Sequence, residues 1–356
     1  MNDFQITLLG TGGGYGESVV VKLCDQNWFV IDSCVNPYSK EILPLKYLEN
    51  NNVDLENDVK LIVCSHWHDD HIKGLDVLLD KCKNAKFVLA VIEDFPKYLK
   101  YLDIDSRDDK GSSSTTTTFM HCMDIINSRG GVIVPAQQDK LLMRIEMPRV
   151  KAEVFCLTPS DDMLKRFQQM LPEIFKDAAK SNIRLHPFEP NDIATVLMME
   201  VNGHVAILGG DLEEDAKYRQ WTYILDNSVA LDGKSFSMIK IPHHGSETGF
   251  SERLWTEFAC DAVTACMTSF NHGKVHLPMD EMVERYKGLA TYLYLTVANT
   301  QKITRGKTLD KAIKKLKPSL TVIPFNYGEI TSHINLNKEN AEWETIYNGS
   351  VRVLKE

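Results

Sequence analysis

An αββα sandwich of the α/β class is predicted for this 356-residue chain, on three observations. Short apolar, β-branched runs alternate with helix-spaced segments in the order strand, helix, strand, helix. Asn202-Gly203 stands between two such runs, Thr195–Val201 and Val205–Leu208, which marks a tight hairpin. Three of the runs stop at polar segments: Ser65-His66-Trp67-His68-Asp69-Asp70-His71, Gly209-Gly210-Asp211 and Pro242-His243-His244-Gly245-Ser246.

Taken in order, Gln5–Leu9, Val19–Leu23 and Trp28–Ile31 read as a β-meander. Glu41–Asn50 carries Ile42, Leu45 and Leu48 at helical spacing, and Val59–Cys64 is the strand that feeds the first polar segment. Ile72–Asp80 is helical and Lys86–Ile92 is a buried strand. Residues 100–150 read as a lid-like insertion, because Asp103–Lys110 is charge-rich and Gly111–Thr118 is almost pure Ser/Thr; Phe119–Arg129 within it is helical. Glu153–Leu157 is a strand, and Thr158-Pro159-Ser160-Asp161-Asp162 opens a helix whose face is Leu164, Phe167, Met170 and Leu171. Ser237–Ile241 is a strand and Glu281–Tyr286 a helix. The expected organisation is one domain over 1–300 and an extension over 301–356 packed on it. That extension comprises a basic helix around Leu309–Leu316 and strands Leu320–Phe325, Glu329–Leu336 and Trp343–Tyr347.

Composition narrows the function classes. Hydrophobic content of 43% with 25% charged residues is that of a soluble globular protein. A formal charge of −9 argues against a broad basic nucleic-acid surface, though not against a local groove. Lys302, Arg305, Lys307, Lys311, Lys314, Lys315 and Lys317 form the one basic run, readable as a phosphate-backbone contact or as a solvated helix face. The eight cysteines include no C-x-x-C pair and several lie in apolar runs, so buried free thiols in a reducing cytoplasm are expected. The N-terminus lacks a secretory pattern, and no apolar run reaches the ~18 residues of a membrane span.

His66, His68, Asp69, Asp70 and His71 fall within six positions, although His accounts for only 11 of 356 residues. A strand ending there puts His66 and His68 on one side, with Asp70 and His71 opening a helix. Imidazole and carboxylate are the donors that suit Zn²⁺, Mn²⁺ or Fe²⁺, so a metal site is the reading. Asp211 follows two glycines that let the backbone approach closely. Asp32, at the end of Phe29-Val30-Ile31, either orients a ligand or simply turns the chain. The glycine run Gly10–Gly16 precedes a strand, not a helix, so it lacks the context of a dinucleotide loop.

His66-x-His68-x-Asp70-His71 resembles the first metal motif of the metallo-β-lactamase superfamily. The resemblance implies His66 and His68 in one metal site, Asp70 and His71 in a second, and Asp211 as the bridge. Pro242-His243-His244-Gly245-Ser246 is similar to the last motif of the subgroup that contains the nuclease domain of bacterial DNA-uptake channel proteins. Gly14-Tyr15-Gly16-Glu17-Ser18, Val30-Ile31-Asp32 and Asn271…His276-x-Pro278 resemble further motifs of that subgroup, in order over about residues 5–290. By the same resemblance His243 is the better ligand of the second metal, His244 a donor to a phosphate oxygen, and His276 a stabiliser or acid. Pro190-Asn191-Asp192 stands where many superfamily members place a His, which leaves the first metal under-liganded and favours exchangeable Mn²⁺ over tightly held Zn²⁺.

These implications define the expected activity. Two divalent ions, Zn or Mn, would serve a phosphodiesterase or nuclease, with Asp70, His244 and His276 as catalytic residues. Nucleases of this type occur beside NTPase partners in bacterial defence, so a protein partner is expected to be compatible. The alternatives are hydrolysis of a lactone, thioester, β-lactam or cyclic nucleotide, and a non-catalytic metal-stabilised interaction module.

Overall fold

Phe4, Ile6 and Leu8 alternate with Gln5 and Thr7, so the first strand has one apolar face. The same pleat arithmetic runs through the sheets of the computed structural model, which describes residues 3–11, 16–90, 114–178, 190–214, 219–272, 274–297, 311, 315, 327–338 and 341–356. Its strands are β1 (Asp3–Thr11), β2 (Gly16–Leu23), β3 (Trp28–Ile31), β4 (Val59–Val63), β5 (Lys86–Ala90), β6 (Ile133–Ala136), β7 (Lys140–Met147), β8 (Val150–Cys156) and β9 (Leu197–Val201). They continue as β10 (His204–Leu208), β11 (Phe236–Lys240), β12 (Ala259–Met267), β13 (Phe270–His272), β14 (Val275–Leu277), β15 (Tyr292–Leu295), β16 (Tyr327–Asn335), β17 (Glu344–Gly349) and β18 (Arg352–Lys355).

Two eight-stranded sheets result, in the orders β17-β16-β1-β2-β3-β4-β5-β6 and β18-β15-β12-β11-β10-β9-β8-β7. Their facing sides share one core: Ile6, Leu8, Phe29, Leu61 and Val63 from the first sheet meet Val154, Met199, Leu208, Met238 and Tyr294 from the second. Ile62 and Cys64 point the other way, onto the helices Leu43–Asn50, Leu75–Lys81 and Ser114–Ser128. On the far side of the second sheet Trp221, Leu254, Trp255, Met282 and Tyr286 come from three further helices. Helix, sheet, sheet, helix is the layer order, that of the metallo-β-lactamase αββα sandwich.

Parallel pairing at the centre of each sheet brings the strand ends to one edge. β3 and β4 run parallel with Ile31 opposite Val63, so Asp32 and Ser65 leave the sheet side by side. In the second sheet Leu208 lies opposite Lys240, and Lys240 opposite Cys266, across parallel β10, β11 and β12. The loops after β4, β10, β11 and β12 therefore converge at carboxyl strand ends, where α/β folds bind ligands. Thr195 N–H donates to Ser65 O at 2.9 Å and stitches the two sheets there.

Two parts of the expected organisation take definite places in the fold. Residues 91–113, the charge-rich front of the expected insertion, lie outside the described residues. From Ser114 to Met147, however, the chain builds a core helix and the edge strands β6 and β7, one for each sheet. Phe119, Cys122, Met123 and Ile126 recur at helical spacing and are buried, so packing overrides the Ser/Thr-rich start. The expected C-terminal extension is likewise woven in: β16 pairs with β1 over nine residues and β18 pairs with β15. Most of the basic run, 298–310, 312–314 and 316–326, lies outside the described residues, as does the expected strand Leu320–Phe325. Among the described residues, no helix is long and apolar enough to cross a membrane.

Candidate metal centre

At the convergence of strand ends, one ligand atom each from Asp70, His71, Asp211 and His244 lies within 4.8 Å of the others, and all four residues are buried. Asp211 Oδ2 is 3.3 Å from His71 Nε2 and 3.5 Å from His244 Nε2. Asp70 Oδ2 is 3.6 Å and 3.3 Å from the same two nitrogens. His66 Nε2 stands 4.0 Å from Asp211 Oδ2 and 3.1 Å from His68 Nδ1, so His66 borders the same carboxylate and His68 stands next to His66. Asp211 thus faces both halves of the cluster.

Local backbone sets these directions. Gly16, with φ +112°, lies so close beneath Asp70 that a Cβ there would sit 1.9 Å from Asp70 O. Gly209 has Pro242 against it, where a Cβ would meet Pro242 Cγ at 2.5 Å, and this brings the Asp211 loop onto the His243-His244 turn. His243 N–H donates to Gly210 O at 3.0 Å and locks the two loops together.

The two adjacent histidines part company on this turn. Both have left-handed backbone, φ 45° and 52°, which sends their rings in different directions. His244 is buried in the cluster, stacked on Phe270 with centroids 5.2 Å apart. His243 is half-exposed on the cleft wall, where Nδ1 lies 3.1 Å from Glu213 Oε1 and 3.2 Å from Thr248 Oγ1. Of the two, His244 is the one whose ring joins the cluster. His276 sits on the exposed hairpin β13–β14, opposite Asn271, whose Oδ1 is 2.9 Å from its Nδ1. It is not among the residues that line the cleft. Substituting His276→Ala is accordingly expected to leave turnover near the wild-type value; a large loss in steady-state kinetics would return it to the site.

Asp32 stands behind His71 and Ser65. Its Oδ2 accepts from His71 Nδ1 at 2.8 Å and from Ser65 Oγ at 2.6 Å, while Oδ1 accepts from Ser65 N–H at 2.7 Å. It holds left-handed backbone, φ 59°, which Asp and Asn tolerate best among side-chain-bearing residues. Asp32→Asn should keep the backbone and one acceptor but lose the anion behind His71. The expected result is a fall in metal affinity of about 10- to 100-fold in calorimetric titration; unchanged affinity would show that the carboxylate is a turn residue only.

Burial and charge act against each other throughout the cluster. Burial opposes the anion of Asp211, yet His71, His244 and Lys240 around it hold its carboxyl well below the usual carboxylate range. Burial also opposes an imidazolium at His71, but the carboxylates of Asp211, Asp70 and Asp32 outweigh it and raise that pKa well above the ordinary value. His66 goes the other way: burial first, then the neighbouring His71 and His68, push it well below the usual range. Asp32 is raised, because burial outweighs its bonds to His71 and Ser65.

This donor set fits divalent metal. His71 Nε2 and His244 Nε2 are buried and make no hydrogen bond among the described residues. Buried polar atoms are almost always paired, so two such nitrogens facing the same carboxylates point to a positively charged partner. Imidazole with carboxylate suits Zn²⁺ and Mn²⁺ alike. The cluster opens into a cleft of about 470 Å³ lined by His68, Lys73, Asn191, His243, Phe270 and His272 beside Asp69, Asp70, Asp211 and His244. Asn191 is buried and donates to Glu213 Oε1 at 2.7 Å. Sequence reasoning passes over His272, Lys73 and Glu213, which carry no local signal.

Residues 11–149 match the family model of the metallo-beta-lactamase superfamily, a span that holds His66, His68, Asp70 and His71 and under half of the chain. The match supports membership of that superfamily. No curated protein matches the chain. Among solved structures, a HARLDQ-motif mutant of a metallo-beta-lactamase from Cronobacter sakazakii is 13% identical, covering 66% of this chain and 75% of its own at a TM-score of 0.33. MEM-A1, a subclass B3 metallo-beta-lactamase from a soil metagenome library, is 13% identical over 69% of this chain and 78% of its own, TM-score 0.35. AidC, a dizinc quorum-quenching lactonase, is 15% identical over 55% of each chain, TM-score 0.32. Likeness at this level decides nothing about substrate.

Proposed function

We propose that this protein is a metal-dependent hydrolase acting on phosphodiesters. The observation that carries the reading is the buried convergence of Asp70, His71, Asp211 and His244, with His66 and His68 alongside, at the floor of an open cleft. Asp70, His71 and His244 would hold one ion, His66 and His68 the other, and Asp211 would face both. When bound, the ions would polarise the attacked phosphoryl group and ease deprotonation of a water near neutral pH. The chain's own groups do the rest. Lys73, ion-paired with Asp69 at 3.3 Å, and His243 and His272 present groups along the cleft wall that can donate to the oxygens of an anionic diester. Phe270, stacked on His244, shields one face of that ligand from water.

The subgroup likeness of the His243-His244-Gly245-Ser246 turn favours nucleic acid as the diester, within the cytoplasm. The test is turnover of protein reconstituted with Mn²⁺ or Zn²⁺ on a simple phosphodiester and on linear and circular DNA, with Asp70→Asn as control. Cleavage of DNA that the variant lacks supports a nuclease; hydrolysis of the small diester alone points to a short or cyclic nucleotide. Hydrolysis of carboxyl esters or lactones but of no diester would overturn the reading.

A further inference from the structure

Each inward-facing imidazole of the cluster is backed by an oxygen at its Nδ1. His71 Nδ1 meets Asp32 directly, at 2.8 Å. His66 Nδ1 is 3.0 Å from Ser65 Oγ, whose own hydrogen goes to Asp32. His244 Nδ1 is 2.7 Å from Thr268 Oγ1, and that hydroxyl donates to Glu17 Oε2. A hydroxyl that spends its hydrogen on a carboxylate can only accept from the ring. The proton of His244 is thereby placed on Nδ1, and Nε2 is left facing Asp70 and Asp211. The second oxygen of Glu17 is taken by the Lys240 ammonium, which also donates to Gly210 O at 2.8 Å and lies 3.5 Å from Asp211 Oδ1.

Lys240 is 1% exposed, Glu17 2% and Thr268 0%, and none of them lines the cleft. Burying an ammonium and a carboxylate carries a desolvation penalty that hydrophobic packing would avoid, so the pair is poorly explained as a stability device. Its geometry links three strands. Glu17 lies at the start of β2, Lys240 ends β11 and Thr268 follows β12, and together they reach both His244 and Asp211.

We propose that Lys240, Glu17 and Thr268 form a positioning relay for the metal centre. Thr268, anchored by Glu17, fixes His244 as an Nε2 ligand; Lys240 engages Asp211 Oδ1 and so leaves Oδ2 to face His66, His71 and His244. The relay rests on the metal-centre reading and acts on ligand geometry alone, since none of its members reaches the cleft.

Thr268→Val removes the hydroxyl at nearly constant volume, and Thr268→Ser restores it. Calorimetric titration of the metal-free full-length protein with Mn²⁺ and with Zn²⁺ is the readout, alongside circular dichroism and denaturant unfolding. Thr268→Val is expected to weaken binding at one of two sites by about 10- to 100-fold, the scale on which groups behind a ligand act, and Thr268→Ser to return it toward wild type. Lys240→Met alone would strand Glu17 in the interior, so it is paired with Glu17→Gln. That double variant should stay folded and show the same weakened site. Wild-type affinity in both Thr268→Val and the double variant overturns the relay, as does lost stability with affinity unchanged. A wild-type protein that takes up neither ion fails differently, by removing the metal centre itself.

Discussion

Asp211→Asn is expected to lower metal-dependent turnover by more than about 10³-fold, the scale on which loss of an essential group acts, while the protein stays folded. The carboxylate stands between three imidazole nitrogens on its Oδ2 side and the Lys240 ammonium on its Oδ1 side. An amide cannot serve both. With its NH₂ toward the imidazoles it opposes a cation there; with its NH₂ toward Lys240 it sets donor against donor. Removing one partner from a buried charged cluster also leaves the others uncompensated, which is the expensive kind of loss. Turnover of the reconstituted variant, with circular dichroism to confirm the fold, checks this. Activity within tenfold of wild type would mean that Asp211 does not hold metal.

Gly16→Ala should be the most damaging small substitution near the site. Its backbone, at φ +112°, is one that side-chain-bearing residues rarely adopt, and the added carbon would press to 1.9 Å of Asp70 O. The strained backbone alone costs about 1–3 kcal/mol. The clash adds to it, because a main-chain carbonyl cannot swing aside as a side chain does, and the segment that must move carries Asp70 and His71. Denaturant unfolding should show a loss above about 3 kcal/mol, accompanied by weaker metal binding. Gly203→Ala is the control: it too has positive φ, +86°, but nothing lies within 4 Å of the added carbon. Equal losses in the two variants would show that contact with the Asp70 segment is immaterial.

The parts of this site that lie close together in sequence are legible there. His66, His68, Asp70 and His71 follow one apolar strand and stand out by the density of donors, whereas Asp211, at the end of another, is singled out by the family resemblance. The split between His243 and His244 is not legible, because it depends on two consecutive left-handed residues that aim adjacent rings apart. Nor is the Thr268–Glu17 contact, which joins residues 251 positions apart and exists only once both sheets are formed. Lys240 does leave a trace, as a single cation closing the apolar strand Phe236–Lys240. The sandwich is readable from alternating strands and helices. Ser/Thr content at 111–118 points to a loop, yet Phe119, Cys122, Met123 and Ile126 bury a helix against the first sheet whatever its opening composition. The tail reads in sequence as strands covering the sandwich or as an appendage; β16 and β17 extend the first sheet and β18 the second. For β16 the reason is distance, since its partner β1 lies at the opposite end of the chain and leaves no local signature.

Whether these side chains hold metal is tested most directly by anomalous diffraction from crystals grown with Mn²⁺ or Zn²⁺, collected on both sides of the metal's absorption edge. The expected result is a peak among Asp70, His71, Asp211 and His244, with a second beside His66 and His68. Bound metal elsewhere, with no peak against Asp211, would contradict it.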